Sequence, residues 1–226
     1  MQSRPSGHGP DRSAALAQYR RRAECYDLEV APFEPLRVRA IDALKLHEGA
    51  TVLDVGCGTG LSFALLRQRI GPRGHIVGIE QSPDMLAKAR ERITREHWDH
   101  VRLLCAPAAT AAIPVRAEAA LFHLTHDILR DDAAIANVLS HLESGAHVVA
   151  SGLCWAPAWM WPINAFVLAA AWYSASSLEG MGSAWDKLAA HLADVVVQTA
   201  FAGGMFIASG VYAPNRPPSI AYAAAA

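Results

Sequence analysis

Between residues 54 and 60 an acid is followed by three glycines at alternate positions: Asp54-Val55-Gly56-Cys57-Gly58-Thr59-Gly60. Glycines let a ligand lie directly on the backbone, and a helix starting just beyond them offers unpaired N–H groups. The pattern therefore reads as a cradle at the end of a strand. The dinucleotide fingerprint G-x-G-x-x-G is one residue longer, and Asp54 would repel a pyrophosphate at close range. A carboxylate there suits a cationic, amine-bearing ligand. A second acid, Glu80, closes the apolar run HIVGIE (75–80). A third polar concentration is LFHLTHDIL (121–129), where His123, Thr125, His126 and Asp127 interrupt an apolar stretch. His126 is the general-base candidate because imidazole titrates near neutrality; Asp127 is the second candidate, or orients the ring. The competing reading is that Thr125 or Asp127 only caps the next helix. No G-x-S-x-G nucleophile elbow occurs.

These residues need a scaffold that brings strand ends together, and the periodicity supplies one. Apolar residues Leu16, Tyr19, Ala23 and Tyr26 recur at helical spacing, and a second helix is predicted over 35–46. The period then changes. Strands are predicted at 51–55, 75–80, 101–105, 119–124 and 146–151, with helices at 61–70, 83–95 and 131–142 between them. Ser82 and Pro83 fit the cap and first position of the second of these helices. Uniformly apolar strands alternating with helices imply a parallel sheet covered on both faces. Beyond lie a helical region over 158–174, a short helix over 184–193, and strands 195–202 and 205–212. The last two flank Gly203-Gly204 and read as an antiparallel hairpin. The expected fold is α/β, doubly wound, with seven mostly parallel strands, N-terminal helices and a helical cap. Residues 1–12 and 214–226 are expected to be flexible ends. Residues 13–213 form one domain, with N-terminal helices over 13–47 and the cap over 153–193.

VLDVGCGTG (52–60) resembles motif I of the class I S-adenosylmethionine-dependent methyltransferases, and IVGIEQSPDMLAKAR (76–90) is similar to their second motif. The resemblance in order and spacing runs from about Thr51 to Ser151. It implies the Rossmann-like methyltransferase fold, S-adenosyl-L-methionine as cofactor, S-adenosyl-L-homocysteine as product and no metal. It also implies that Gly56, Gly58 and Gly60 pass under the methionine part, with Asp54 reaching its amino group. Glu80 would accept both ribose hydroxyls, and Gln81 and Met85 would lie against the adenine. His123 would contribute mainly its backbone. Where the family usually places an acid for the adenine amino group, this chain reads Cys105-Ala106-Pro107-Ala108, so backbone at Ala106 must serve.

Composition narrows the acceptor. Twenty Lys+Arg against 21 Asp+Glu leave a net charge of −1, so no basic field draws in nucleic acid. Four scattered cysteines without a C-x-x-C pair predict neither zinc nor a disulfide framework, and a cytoplasmic setting. No Asp, Glu, Lys or Arg stands between Glu143 and Glu179, yet Gly145, Gly152, Pro157 and Pro162 deny a continuous membrane span. Five of the six tryptophans (Trp155, Trp159, Trp161, Trp172 and Trp185) follow the fifth strand. Trp155 and Trp159, with Tyr19 and Tyr26, are the candidates for an aromatic acceptor site. Packing within the cap or at a dimer interface is the alternative for the tryptophans. The expectation is methyl transfer to a small, largely apolar or aromatic metabolite by in-line displacement, with a homodimer possible. The alternatives are a protein that binds S-adenosylmethionine without transferring methyl (a sensor or a cyclase), or a methyltransferase acting on a lipid at a membrane surface.

Overall fold

The computed structural model describes Asp27, residues 30–174 and residues 180–223, apart from the side chains of 172–174. Tyr19, Tyr26 and the first expected helix lie outside the described residues.

A helix, α1 (Glu34–Ala43), leads into β1 (Thr51–Val55). Then follow α2 (Phe63–Ile70), β2 (His75–Glu80), α3 (Pro83–Arg95), β3 (Val101–Cys105) and β4 (Ala117–His123). A one-turn helix, α4 (His126–Leu129), precedes α5 (Asp132–Ser140) and β5 (Leu142–Leu153). The chain continues through α6 (Trp161–Ser174), α7 (Asp186–Ala189), β6 (Leu192–Ala200), β7 (Met205–Tyr212) and β8 (Ile220–Ala223). Local chemistry fixes several boundaries. At α3 the Ser82 hydroxyl accepts the Met85 N–H and Pro83 stands in the first turn. At α5 the Asp131 carboxylate accepts from Ala133 and Ala134.

The strands form one sheet in the order β3-β2-β1-β4-β5-β7-β6-β8. The first five are parallel, and β7 runs antiparallel to both β5 and β6. The expected hairpin is therefore present. Its turn runs through a short 3-10 segment, Phe201–Gly203, with Phe201 and Ala202 in the left-handed region. The sheet has eight strands rather than the expected seven. Residues 220–223, expected within a flexible tail, pair in parallel with Val195–Gln198. Ser219 fixes the register, its carbonyl taking the Val195 N–H and its hydroxyl the Asp194 N–H. All four β8 residues are exposed. Without a buried face the strand leaves no hydrophobic alternation to read.

Apolar layers cover both faces. On one, Val52, Leu121, Val149 and Ile207 pack against Leu36, Ala40 and Ile41 of α1, Phe63 and Leu66 of α2, and Val167 and Ala171 of α6. On the other, Leu53, Phe122, Val148 and Phe206 pack against Ile135 and Val138 of α5 and Leu188 of α7. Among the described residues no helix is long and apolar enough to cross a membrane.

Candidate active site

The carboxyl ends of β1, β2, β4 and β5 converge where the strand order reverses between β1 and β4, the usual ligand crevice of an open α/β sheet. The glycine loop leaves β1 there. Gly56 and Cys57 both donate to the Ile79 carbonyl, at 2.7 and 3.1 Å, which folds the loop across the end of β2. Gly56, Gly58 and Gly60 all have positive φ. A Cβ on Gly56 would lie 2.5 Å from Thr125 Cγ2, and one on Gly60 2.5 Å from the Phe63 ring. Side chains are excluded here by space as well as by conformation.

Glu80 ends β2 with its carboxylate bound to backbone: Oε2 accepts Gly58 N–H at 3.2 Å and Oε1 accepts Ser82 N–H at 2.8 Å. Burial raises its pKa, and these two N–H groups pull it back. Each oxygen keeps a further lone pair, so two hydroxyls of a ribose can be accepted without breaking either bond.

Strand alternation puts Asp54, His123 and Ser151 on the sheet face that carries Val52, Leu121 and Val149, beneath α1. Asp54 is 2% exposed and its Oδ2 has no partner. Burial pushes its carboxyl up to about 7; Arg37 opposes this and Glu80 adds to it. Arg37, on α1, is 3% exposed, is paired with Glu34, and leaves its Nε unpartnered. His123 meets the Ser151 hydroxyl through Nδ1 at 2.8 Å, while its buried Nε2 has no partner. Burial, then Arg37 and His126, hold its pKa down at about 3, so the ring is neutral. The Thr125 hydroxyl is a fourth buried group without a partner. Buried polar atoms in folded proteins are normally paired. Four orphans around one loop fit a polar ligand.

Arg37 was not among the residues read from the sequence, although a signal exists. It stands on the buried stripe of α1 with Leu36, Ala40 and Ile41, a cation where a core residue belongs.

His126 turns inward. Its Nε2 donates to the Leu153 carbonyl at 2.9 Å and its ring meets Phe206 edge-on. That bond fixes the tautomer and leaves Nδ1 as the accepting nitrogen. Burial lowers its pKa, against the Leu153 hydrogen bond and the neighbouring Asp127 carboxylate. Asp127 is half-buried on the same short helix. Gln81 is half-buried, whereas Met85 is enclosed by protein. Ala106 N–H donates to the Glu80 carbonyl at 3.1 Å, tying the end of β3 to that of β2.

The tryptophans separate. Trp185 is buried on the opposite face against Phe206. Trp155 is partly exposed, and Trp159 and Trp161 are 77% and 72% exposed. Among the described residues no cluster of three or more His, Cys, Asp or Glu could hold a metal.

Residues 52–145 match the family described as "Methyltransferase domain". The aklanonic acid methyltransferase DauC of Streptomyces sp. (strain C5) is 33% identical over 92 residues, 40% of this chain and 42% of that protein. An arsenite methyltransferase of Halobacterium salinarum is 42% identical over 53 residues, 24% of this chain and 14% of that protein. The matched stretch thus spans less than half of either relative. Among solved structures, N-methyltransferase NodS from Bradyrhizobium japonicum WM9 in complex with S-adenosyl-L-homocysteine superposes with a TM-score of 0.63. That superposition covers 88% of this chain and 98% of NodS at 15% identity. Residues 52–145 thus resemble the methyltransferase domain family, and the chain shares the Rossmann-like fold of the S-adenosylmethionine-dependent methyltransferases among these structures.

Proposed function

We propose that this protein transfers the methyl group of S-adenosyl-L-methionine to a small, largely apolar or aromatic acceptor. The observation that carries the reading is the pair of opposite charges buried beside the glycine loop. Asp54 and Arg37 each keep an unpartnered polar atom there, and a zwitterionic amino-acid end satisfies both. Bound, the cofactor supplies a sulfonium-activated methyl group open to in-line attack. The chain does the rest by binding and alignment. Asp54 holds the ammonium and Arg37 the carboxylate, and the three glycines let the chain between them lie on the backbone. Glu80 takes the ribose hydroxyls, and Gln81, Met85 and the Ala106 backbone flank the adenine.

His123 and Thr125, at the exit of β4, would border the methyl-bearing end of the bound cofactor. Where the acceptor must lose a proton, His126 receives it on Nδ1, with Asp127 beside it to stabilise the imidazolium. The neutral ring and the Nε2–H bond to Leu153 support that role. The near-zero net charge supports a small molecule rather than nucleic acid, and the cysteine pattern a cytoplasmic setting. Tyr19 and Tyr26, with Trp155 and Trp159, are proposed to border the acceptor.

A second reading, a lipid acceptor at a membrane surface, is favoured by the exposed aromatics Trp159, Trp161 and Phe166 in a stretch without acidic or basic residues. Flotation with phosphatidylcholine vesicles separates the two: co-flotation supports the lipid acceptor, and protein left at the bottom supports the soluble one. Incubation with methyl-labelled S-adenosylmethionine and a panel of phenols and lipids tests transfer itself. His126→Asn and Asp127→Asn should cut turnover at least tenfold with cofactor affinity unchanged. Unchanged turnover removes them as bases.

A further inference from the structure

The sheet ends at β3 on one side and at β8 on the other, and the two edges differ. β3 carries the exposed Arg102, a charge of the kind that keeps an open strand from pairing with another chain. β8 (Ile220-Ala221-Tyr222-Ala223) has no charge, no proline and no bulge. Its four residues are all exposed, Ile220 at 45% and Tyr222 at 70%. The strand is tied at its start, where Arg216 meets the Asp194 carboxylate at 2.9 and 3.1 Å and the Ser219 hydroxyl accepts the Asp194 N–H. These contacts are open to water, and no buried side chain within β8 offsets the ordering of its backbone.

The ladder to β6 fixes which way the backbone of β8 faces. The Ser219 carbonyl accepts the Val195 N–H, so alternation turns the N–H and C=O of Ala221 toward β6 and those of Ile220 and Tyr222 outward. Ile220 and Tyr222 stand beside Val195 and Val197, on the face of the sheet that those valines bury. Two large residues therefore flank a small one, and the same two carry the outward donors and acceptors. That pattern matches itself when turned through half a circle. An antiparallel copy centred on Ala221 sets Ile220 opposite Tyr222 of the copy, in a pair that exchanges both backbone bonds. The two Ala221 then face each other in a pair without hydrogen bonds.

We infer that β8 pairs with β8 of a second copy of this chain, across a two-fold axis at Ala221, and joins two eight-stranded sheets into one. Charge favours this occupant. No Asp, Glu, Lys or Arg stands between Arg216 and the end of β8, and Arg216 is already matched by Asp194 of its own chain. Two copies therefore meet without like-charge repulsion, and the Ile–Tyr pair forms twice on one face. A two-fold pairing uses both β8 edges and closes, while Arg102 blunts the far edge of each sheet, so growth stops at two. One short ladder makes a small interface, and the dimer is accordingly weak. The inference is independent of the cofactor reading.

Sedimentation equilibrium of the full chain, from about 1 µM to about 1 mM, tests this. Wild type should show a monomer–dimer equilibrium. Tyr222→Pro removes an outward N–H and spares the bonds to β6, and Tyr222→Lys puts a charge on the edge. Each should weaken the dimer at least about tenfold. Trp159→Ala with Trp161→Ala should associate as wild type does. Register is read by cross-linking with copper–phenanthroline. Ala221→Cys should give a covalent dimer, because the pair at the axis brings its Cα atoms within disulfide reach. Ala223→Cys, off the axis, should not, and neither should wild type, in which Cys105 is exposed. A wild-type monomer at every concentration overturns the inference. So does a dimer that the Tyr222 variants leave intact or that the tryptophan variant abolishes. Cross-linking at Ala223 in place of Ala221 overturns the register, and species larger than a dimer overturn the two-fold closure.

Discussion

Asp54 brings to the site a carboxyl that burial has raised to about 7, so in the free protein it is partly protonated near neutrality. An ammonium ligand requires the ionised form. Binding below neutral pH must therefore expel a proton, and affinity must rise as pH increases from 6 to 8. Calorimetry of S-adenosylhomocysteine binding at pH 6.0, in two buffers of different ionisation enthalpy, should show that release; equal enthalpies in both would contradict it. His123 makes the converse statement about stability. The unfolded ring takes up a proton near 6.5 and the folded one only near 3. Its stabilising contribution is complete above 6.5 and is lost as pH falls through that window, at up to about 1.4 kcal/mol per pH unit. Urea denaturation at pH 7 and pH 5 should show wild type losing more stability than His123→Asn. Parallel losses would mean that the ring is not held neutral.

At the scale of elements, Gly152 shows how closely β5 supports α4. A Cβ there would lie 2.7 Å from His126 Cε1 and 3.2 Å from Phe206. Gly152→Ala should destabilise the fold by about 1–3 kcal/mol, as overpacking does, and displace His126; a neutral result in urea denaturation would show that α4 yields freely. The same elements show what a sequence discloses. β1, β2, β3 and β7 were legible to the residue, because short runs rich in apolar residues are bounded by glycine, proline or charge. The Ser82–Pro83 start of α3 was legible for its capping chemistry. β5 begins earlier than expected: Glu143, Ser144 and Gly145, near its start, are exposed and carry no apolar signal. β8 was invisible because all four of its residues are exposed and no alternation of buried and exposed positions marks it. The glycine loop, Asp54 and Glu80 were recognisable because their residue types and spacing match a cofactor-binding pattern. Arg37 was legible only as a cation on the apolar stripe of α1, since its place near Asp54 and His123 is created by the fold.

For the molecule as a whole, the separation of the tryptophans matters most. Trp185 serves the core, while Trp159, Trp161, Phe166, Leu168 and Phe201 are exposed, with the Phe166 and Phe201 rings in contact. A face of this kind also suits self-association. If it forms a homodimer, sedimentation equilibrium should give a dimer for wild type and a monomer for Trp159→Ala with Trp161→Ala; a wild-type monomer would leave the lipid surface as its use. Every reading of the molecule, including one that binds the cofactor without transferring methyl, depends on the ligand that Asp54, Arg37, Glu80 and the glycine loop are proposed to hold. Isothermal titration of the folded wild-type protein with S-adenosylhomocysteine tests that dependence directly. The account predicts one site per chain, weakened at least tenfold by Asp54→Asn and by Arg37→Met, each of which leaves a charge unpaired. Absence of binding to wild-type protein whose fold is confirmed by circular dichroism would contradict it.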